Sequence, residues 1–328
     1  MRIRDLDEAE LIARFRRVLP AGERTLIGSG DDCAMIAAPE GHFVVTTDVL
    51  VEGRHFRTDW SRAFDIGQRA AAQNLADIAA MGARTSALVV SLVLPSDTQV
   101  EWIVDLVAGF GARTAKAGAE VVGGDLSGGQ SLTIAVTAMG YCPGPVLTRG
   151  GAHVGDTIAV AGTLGLSAAG LALLSGGYID AREHTIDDDD LAPCLAIYRA
   201  PEPPLDCGVQ AAQAGASAMM DISDGLLIDA ARMGKASGVC MAIDSALLRG
   251  DLTRLAAASA LTGVAARQWV LGGGEDHALL ATFPPSCVLP EGFRPIGIVR
   301  EYAGGQTPRV LIDGAEPEQA MGWDHFAR

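Results

Sequence analysis

Apolar positions along the chain fall into short continuous runs separated by stretches of helical spacing, the pattern of strands interleaved with helices. Leu11, Ile12, Phe15 and Val18 share one face of a helix from Asp7 to Leu19, which Pro20 and Gly22 stop. Phe43-Val44-Val45 then reads as a buried strand that delivers Thr46, Thr47 and Asp48 where the apolar character ends. An Ala-rich helix follows from Asp65 to Met81, Gly82 caps it, and Ala87 to Leu94 is a buried strand. From about Asp97 to Ala117 a second helix turns Val100, Ile103, Val104, Leu106, Val107 and Phe110 towards a core. Glu120-Val121-Val122 predicts a short strand ended by Gly123-Gly124-Asp125, and Leu132 to Met139 another. Pro143, Gly144 and Pro145 then break the chain, which places a domain boundary there and divides it into residues 1–147 and 148–328.

The second half continues the alternation. A strand from Thr157 to Ala161 runs into Gly162-Thr163-Leu164-Gly165 and an Ala- and Leu-rich helix. Such a turn can hold phosphate on helix N-terminal N–H groups, although its spacing completes no nucleotide fingerprint. The run Asp187 to Asp190 is expected as a solvated loop or helix start, because four adjacent side chains cannot converge on one ion. The strand beginning at Ala218 breaks at Ser223, a residue suited to cap a helix from Asp224 to Ala236. Gly272-Gly273-Gly274-Glu275 sets a carboxylate in a glycine loop before a strand from Ala278 to Phe283. The fold class is therefore mixed α/β, in two α/β domains.

Candidate chemistry sits at the breaks in this pattern. Thr46, Thr47 and Asp48 make either an ordinary capped strand end or a hard oxygen site suited to Mg²⁺ or Ca²⁺, and His55 follows seven residues later. In Gly28-Ser29-Gly30-Asp31-Asp32-Cys33-Ala34 two adjacent carboxylates either cap the next strand or face a metal. Asp77, one helical turn after Asn74, has apolar neighbours on nearly every side; it is exposed on the solvent face or needs a positive partner. Asp221, Ser223 and Asp224 offer oxygen ligands beside the free N–H groups of a helix start.

Composition narrows the functions available. Over 328 residues, 25 Lys+Arg against 40 Asp+Glu leave a net charge of −15, which repels nucleic acid and anionic membrane surfaces. Neither is expected as a partner, and an anionic ligand needs bound cations to bridge it to these carboxylates. The lysines, Lys116 and Lys235, lie in neither a P-loop nor a protein-kinase V-A-I-K segment. There is no G-x-S-x-G serine, H-E-x-x-H or cysteine constellation, so metal-assisted phosphoryl chemistry gains over acyl transfer and zinc hydrolysis. Six scattered cysteines read as thiols of a reducing cytoplasm, and neither a secretory h-region nor an apolar run of bilayer length is evident.

In order along nearly the whole chain, GSGDDCA, TTDVLVEGRHF, NLADIAAMGA, VVGGDLS, LTRGGAHVGD, MMDISDGL, GGGEDHALL and the closing GWDHF resemble the thiamine-monophosphate kinase family. That family belongs to the superfamily of aminoimidazole ribonucleotide synthetase and selenophosphate synthetase. The resemblance implies two α/β domains, a homodimer whose N-terminal strands pair across subunits, and ATP and metals in a cleft between domains. It implies Mg²⁺ ligands at Asp32, Thr46, Thr47, Asp48, Asp77, Asp125, Asp221 and Asp224, with Asp31 left as an alternative to Asp32. ATP contacts fall on Gly124, Asp125, Arg149 and Ser223, and thiamine phosphate contacts on His55, Glu275 and Trp323. Asp48, Asp125, Arg149 and Asp221 then carry the transfer of the ATP γ-phosphoryl group to thiamine monophosphate, giving thiamine diphosphate. Alternatives are another ATP-dependent synthetase of the superfamily and a non-catalytic divalent-metal binder.

Overall fold

The computed structural model describes residues 1–2, 5, 10, 14–20, 25–27, 35–38, 41–181, 188–302 and 310–317. It divides into two compact units, Met1–Ile78 with Arg84–Cys142, and Ala79–Ala83 with Pro143–Arg328.

The first unit is built on a four-stranded sheet of β3 (Val44–Val51), β4 (Arg84–Leu94), β5 (Glu120–Gly128) and β6 (Thr133–Tyr141), in the order β3-β6-β4-β5. Only β4 and β5 run parallel, as their helical crossover requires. Alternation along β6 buries Ile134, Val136 and Ala138 on one face. Helix α1 (Ala63–Ala80) covers that face, with Ile78 against Gly140. Helix α2 (Val100–Lys116) crosses α1 at paired glycines; a Cβ on Gly67 or Gly109 would sit 1.9 Å from the Leu106 or Phe64 carbonyl oxygen. β1 (Thr25–Ile27) and β2 (Met35–Ile36) form a separate two-stranded ladder.

Two expectations change here. β3 is an edge strand rather than a buried one: Val45 and Val49 are 59% and 49% exposed, and Thr46 to Asp48 lie mid-strand. β5 continues through Gly123-Gly124-Asp125 to Gly128, because these glycines pair with β4 instead of turning; a Cβ on Gly124 would lie 1.9 Å from the Val90 carbonyl oxygen.

The second unit holds a six-stranded sheet of β7 (Thr157–Ala161), β8 (Ala218–Ile222), β9 (Cys240–Ile243), β10 (Ala278–Phe283), β11 (Phe293–Arg300) and β12 (Val310–Ile312). Their order is β12-β9-β11-β7-β10-β8, antiparallel except for β12 with β9. β8 and β10 are buried along their whole length, which explains their unbroken apolar runs. Helices α3 (Leu166–Ser175), α4 (Ala192–Arg199), α5 (Leu205–Ala214) and α6 (Leu226–Ser237) are interleaved with the strands, and three short ones, α7 (Arg249–Arg254), α8 (Ala256–Thr262) and α9 (Ala266–Gly272), precede β10. Ala80, Leu147, Ala211, Met219, Leu279 and Phe283 share one apolar core, where Phe283 meets Phe293 edge to face. Asp188 accepts from the Asp190 and Leu191 N–H groups just before α4, matching the loop or helix start expected there, while Asp187 lies outside the described residues. Among the described residues no helix is long and apolar enough to cross a membrane. Cys142, Cys194 and Cys240 are buried free thiols, whereas Cys207 and Cys287 are partly exposed.

Candidate active site

In the first unit, strand alternation separates the oxygen donors. Thr46 and Asp48 point to the helix-covered side of β3, where the Thr46 hydroxyl donates to Asp77 Oδ2 at 2.6 Å. Asp77 thus finds a partner from β3 rather than standing alone on its helix. Asn74, one turn earlier and fully buried, donates to the Ala70 carbonyl at 3.3 Å. Thr47 belongs to the opposite face; its hydroxyl donates to the Val136 carbonyl at 2.8 Å and accepts from Thr137 at 3.0 Å. Asp125 aligns across the sheet with Ser91, Ala135 and Val49, so it shares the face of Thr47, whereas Gly124 aligns with Val90, Val136 and Asp48. Beyond β3 a tight turn folds His55 back, so that its Nδ1 accepts the Val51 N–H at 2.9 Å. In the neutral ring the proton therefore sits on Nε2, which becomes a donor.

The second unit gathers a denser group. The turn after β8 and the loop before β10 press backbone to backbone: a Cβ on Gly274 would meet the Ser223 oxygen at 2.1 Å, and one on Gly225 the Gly272 oxygen at 2.7 Å. Glu275 N–H donates to the same Ser223 oxygen at 2.9 Å. Glycine is required at these approaches, which set the main chain of Ser223 and Asp224 against that of Gly274 and Glu275. Glu275 and His277 both carry positive φ, 70° and 54°, which marks local backbone strain.

Four residues outside the expected set hold this group. Asp229 Oδ2 accepts the N–H groups of Asp224 and Gly225 at 3.0 and 3.2 Å, while Arg232 Nη1 reaches Asp224 at 2.6 Å and Asp229 at 2.7 Å. Burial pushes the Asp229 carboxyl up to about 6, the nearby Asp221 charge adds to the rise, and the hydrogen bonds oppose it. His277, just before β10, sets its Nδ1 3.4 Å from Asp221 Oδ2. Asp276 accepts from the Thr163 hydroxyl at 2.8 Å and from Leu166 and Ser167 N–H at 3.1 Å. Burial again pushes its carboxyl up to about 6 against those bonds.

At two helix starts a carboxylate occupies N–H groups that the sequence left open. The Leu166 and Ser167 N–H groups at the start of α3, where the glycine-rich turn could have held a phosphate, are taken by Asp276. Ser223 makes no side-chain cap, and α6 starts at Leu226, because Asp229 reaches back to the turn instead. For Asp229 a signal existed, a lone carboxylate in the apolar Leu226-Leu227-Ile228-Asp229-Ala230 stretch.

Arg149 stands apart from this group. Gly151 packs on the Ser217 oxygen, Met219 N–H donates to the Thr148 carbonyl, and the Ser237 hydroxyl donates to the Arg149 carbonyl at 3.0 Å. The main chain around Arg149 is thereby tied to the start of β8 while its side chain is exposed; Ser223 lies four residues along, roughly 13 Å at strand rise. Asp31, Asp32 and Trp323 lie outside the described residues. Among the described residues no three Asp, Glu, His or Cys side chains converge as a metal site.

A family model described as AIR synthase related protein, N-terminal domain, matches residues 30–142. The thiamine-monophosphate kinase of Mycobacterium tuberculosis is 41% identical over 326 residues, covering 99% of this chain and 93% of that protein. The chain belongs to the thiamine-monophosphate kinase family. Solved structures extend the likeness to three dimensions. The thiamine-monophosphate kinase from Stenotrophomonas maltophilia K279a superposes with a TM-score of 0.79 at 32% identity, over 95% of this chain and 98% of that one. The structure described as AaThiL complexed with AMPPCP and TMP matches with a TM-score of 0.79 at 31% identity, over 99% of both chains. Thiamine-monophosphate kinase membership therefore takes in both units, including the paired loops of the second.

Proposed function

We propose that this chain transfers the γ-phosphoryl group of ATP to thiamine monophosphate, forming thiamine diphosphate and ADP. Family membership across both units carries the reading, and the backbone-locked loops bearing Asp221, Ser223, Asp224 and Glu275 support it. The acceptor phosphate, with a second pKa of about 6, is largely dianionic at neutral pH, so no general base is needed. The difficulty is electrostatic, since two polyanions must meet in line.

Hydroxyl and carboxylate donors fit Mg²⁺ and not a thiophilic metal. Thr46, Asp48 and Asp77 in the first unit, and Asp221 and Asp224 in the second, would hold it, with Thr47, Asp125 and Asp32 as further donors. When bound it supplies charge neutralisation on the phosphate oxygens. The protein adds its own donors: the exposed Arg149 guanidinium and the Ser223 hydroxyl for ATP phosphates, and His55 Nε2–H for the thiamine phosphate. Glu275 offers a negative charge to the cationic thiazolium, and Trp323 a ring for stacking. Beside Gly124 an apolar cavity of about 110 Å³, lined by Leu106, Val107, Phe110 and Leu126, suits a flat nucleobase.

We further propose a homodimer whose N-terminal strands pair across subunits at the β3 edge, beside which Phe43, Val45 and Val49 form an exposed apolar row to be covered. The free thiols fit a cytoplasmic location. Incubation with thiamine monophosphate, ATP and Mg²⁺ should yield thiamine diphosphate and ADP, with no product under chelation or from free thiamine. ATP binding without turnover would redirect the assignment to the synthetases of the superfamily.

A further inference from the structure

We propose that Arg232 is a resident counter-cation for Asp224 that competes with the divalent metal for this carboxylate. The inference rests on the metal reading given above. One guanidinium nitrogen lies 2.6 Å from Asp224 Oδ2 and 2.7 Å from Asp229 Oδ1, so a single cation bridges both carboxylates of the turn. Asp229 is fully buried and Asp224 nearly so, at 0% and 15% side-chain exposure, whereas the Arg232 side chain is 44% exposed at the mouth of the pair. A buried carboxylate pair without a positive neighbour is costly, and the arginine supplies one from the next turn of α6. Asp229 also fixes the turn through two backbone N–H groups, so its place is set independently of Arg232. Asp224 is the member of the bridge that the metal reading also claims. A metal that takes the Asp224 oxygen facing Arg232 must displace the guanidinium, which can swing to solvent while Asp229 stays in position. Arg232 is thus a positioning residue: it keeps Asp224 oriented when no metal is bound and sets a threshold for metal loading.

Mg²⁺ alone, titrated into the full-length protein by calorimetry and by thermal shift, tests this without turnover. Arg232→Gln should bind Mg²⁺ up to about fivefold more tightly than wild type, the upper end for an ion pair whose cation is open to solvent. Arg232→Ala, a favourable helix residue at the same place, should behave alike and guards against a folding defect in either variant. Asp224→Asn should lose the site. Unchanged or weaker binding in both Arg232 variants overturns the proposal. So does equal tightening in Arg300→Gln, which removes one charge from β11 and would reveal a general field effect. If wild-type binding is insensitive to Asp224→Asn, the metal assignment itself falls, and the proposal with it.

Discussion

At Asp276 a buried carboxylate takes the place of the phosphate that the glycine-rich turn suggested. Its folded pKa, raised to about 6 from 3.8, means that the native state holds a proton the unfolded chain has lost. The stability this provides is complete below about pH 3.8 and disappears as pH rises through 6. In Asp276→Asn the group no longer titrates. Between pH 4 and pH 7 wild type should therefore lose about 2 kcal/mol relative to the variant, read from urea midpoints at each pH. A pH-independent difference would reject the raised pKa. Asp48 calls for a different readout: Asp48→Asn removes a charge and little volume, so turnover should vanish with the circular dichroism and melting temperature unchanged. Full activity would sink the metal assignment at this residue. Asp229 stands out in its apolar stretch, but nothing in the sequence gives the partner of Asp276. A cap delivered from more than a hundred residues away, as Asp276 delivers to α3, leaves no local pattern.

Secondary elements are most readable where apolar runs sit between glycine turns; β7 and β10 span the residues their sequence predicts, Thr157–Ala161 and Ala278–Phe283. β3 and β5 depart from their sequence pattern because strand order is non-local. Nothing in Phe43-Val44-Val45 says that among the described residues β3 has a neighbour on one side only, and Gly123-Gly124 looks like a turn until β4 lies against it. The α1–α2 crossing is equally hidden, since Gly67 and Gly109 matter only once each helix is placed against the other. With a carbonyl oxygen 1.9 Å from where a Cβ on either glycine would sit, the helices must separate to accept a methyl group. Gly67→Ala and Gly109→Ala should each cost about 1–3 kcal/mol in chemical denaturation. The double variant should cost less than the sum, because one separation relieves both contacts. Additive losses would indicate that the two glycines act independently.

At the scale of the whole molecule, the separation of Asp48 from Asp125 bears on the homodimer proposed above. β3 and β5 are the two outer strands of a four-stranded sheet, three strand spacings apart, roughly 14 Å. Their carboxylates also lie on opposite faces by register. Since the proposed transfer uses both, either they serve different phosphates of one site within a copy, or each site takes one of them from a second copy. A twofold partner can present its β5 edge to the β3 edge of the first copy, and the exposed row of Phe43, Val45 and Val49 gives that partner a surface to cover. Asp48→Asn and Asp125→Asn should each be inactive alone. Unfolded together and refolded as a mixture, half of the dimers are hybrids, and in each hybrid one of two sites keeps both wild-type aspartates. Activity should then return to about a quarter of wild type, as random twofold pairing dictates. A mixture as inactive as its parents would place Asp48 and Asp125 of each site on one chain, and the sheet edges would then have to meet in some other way.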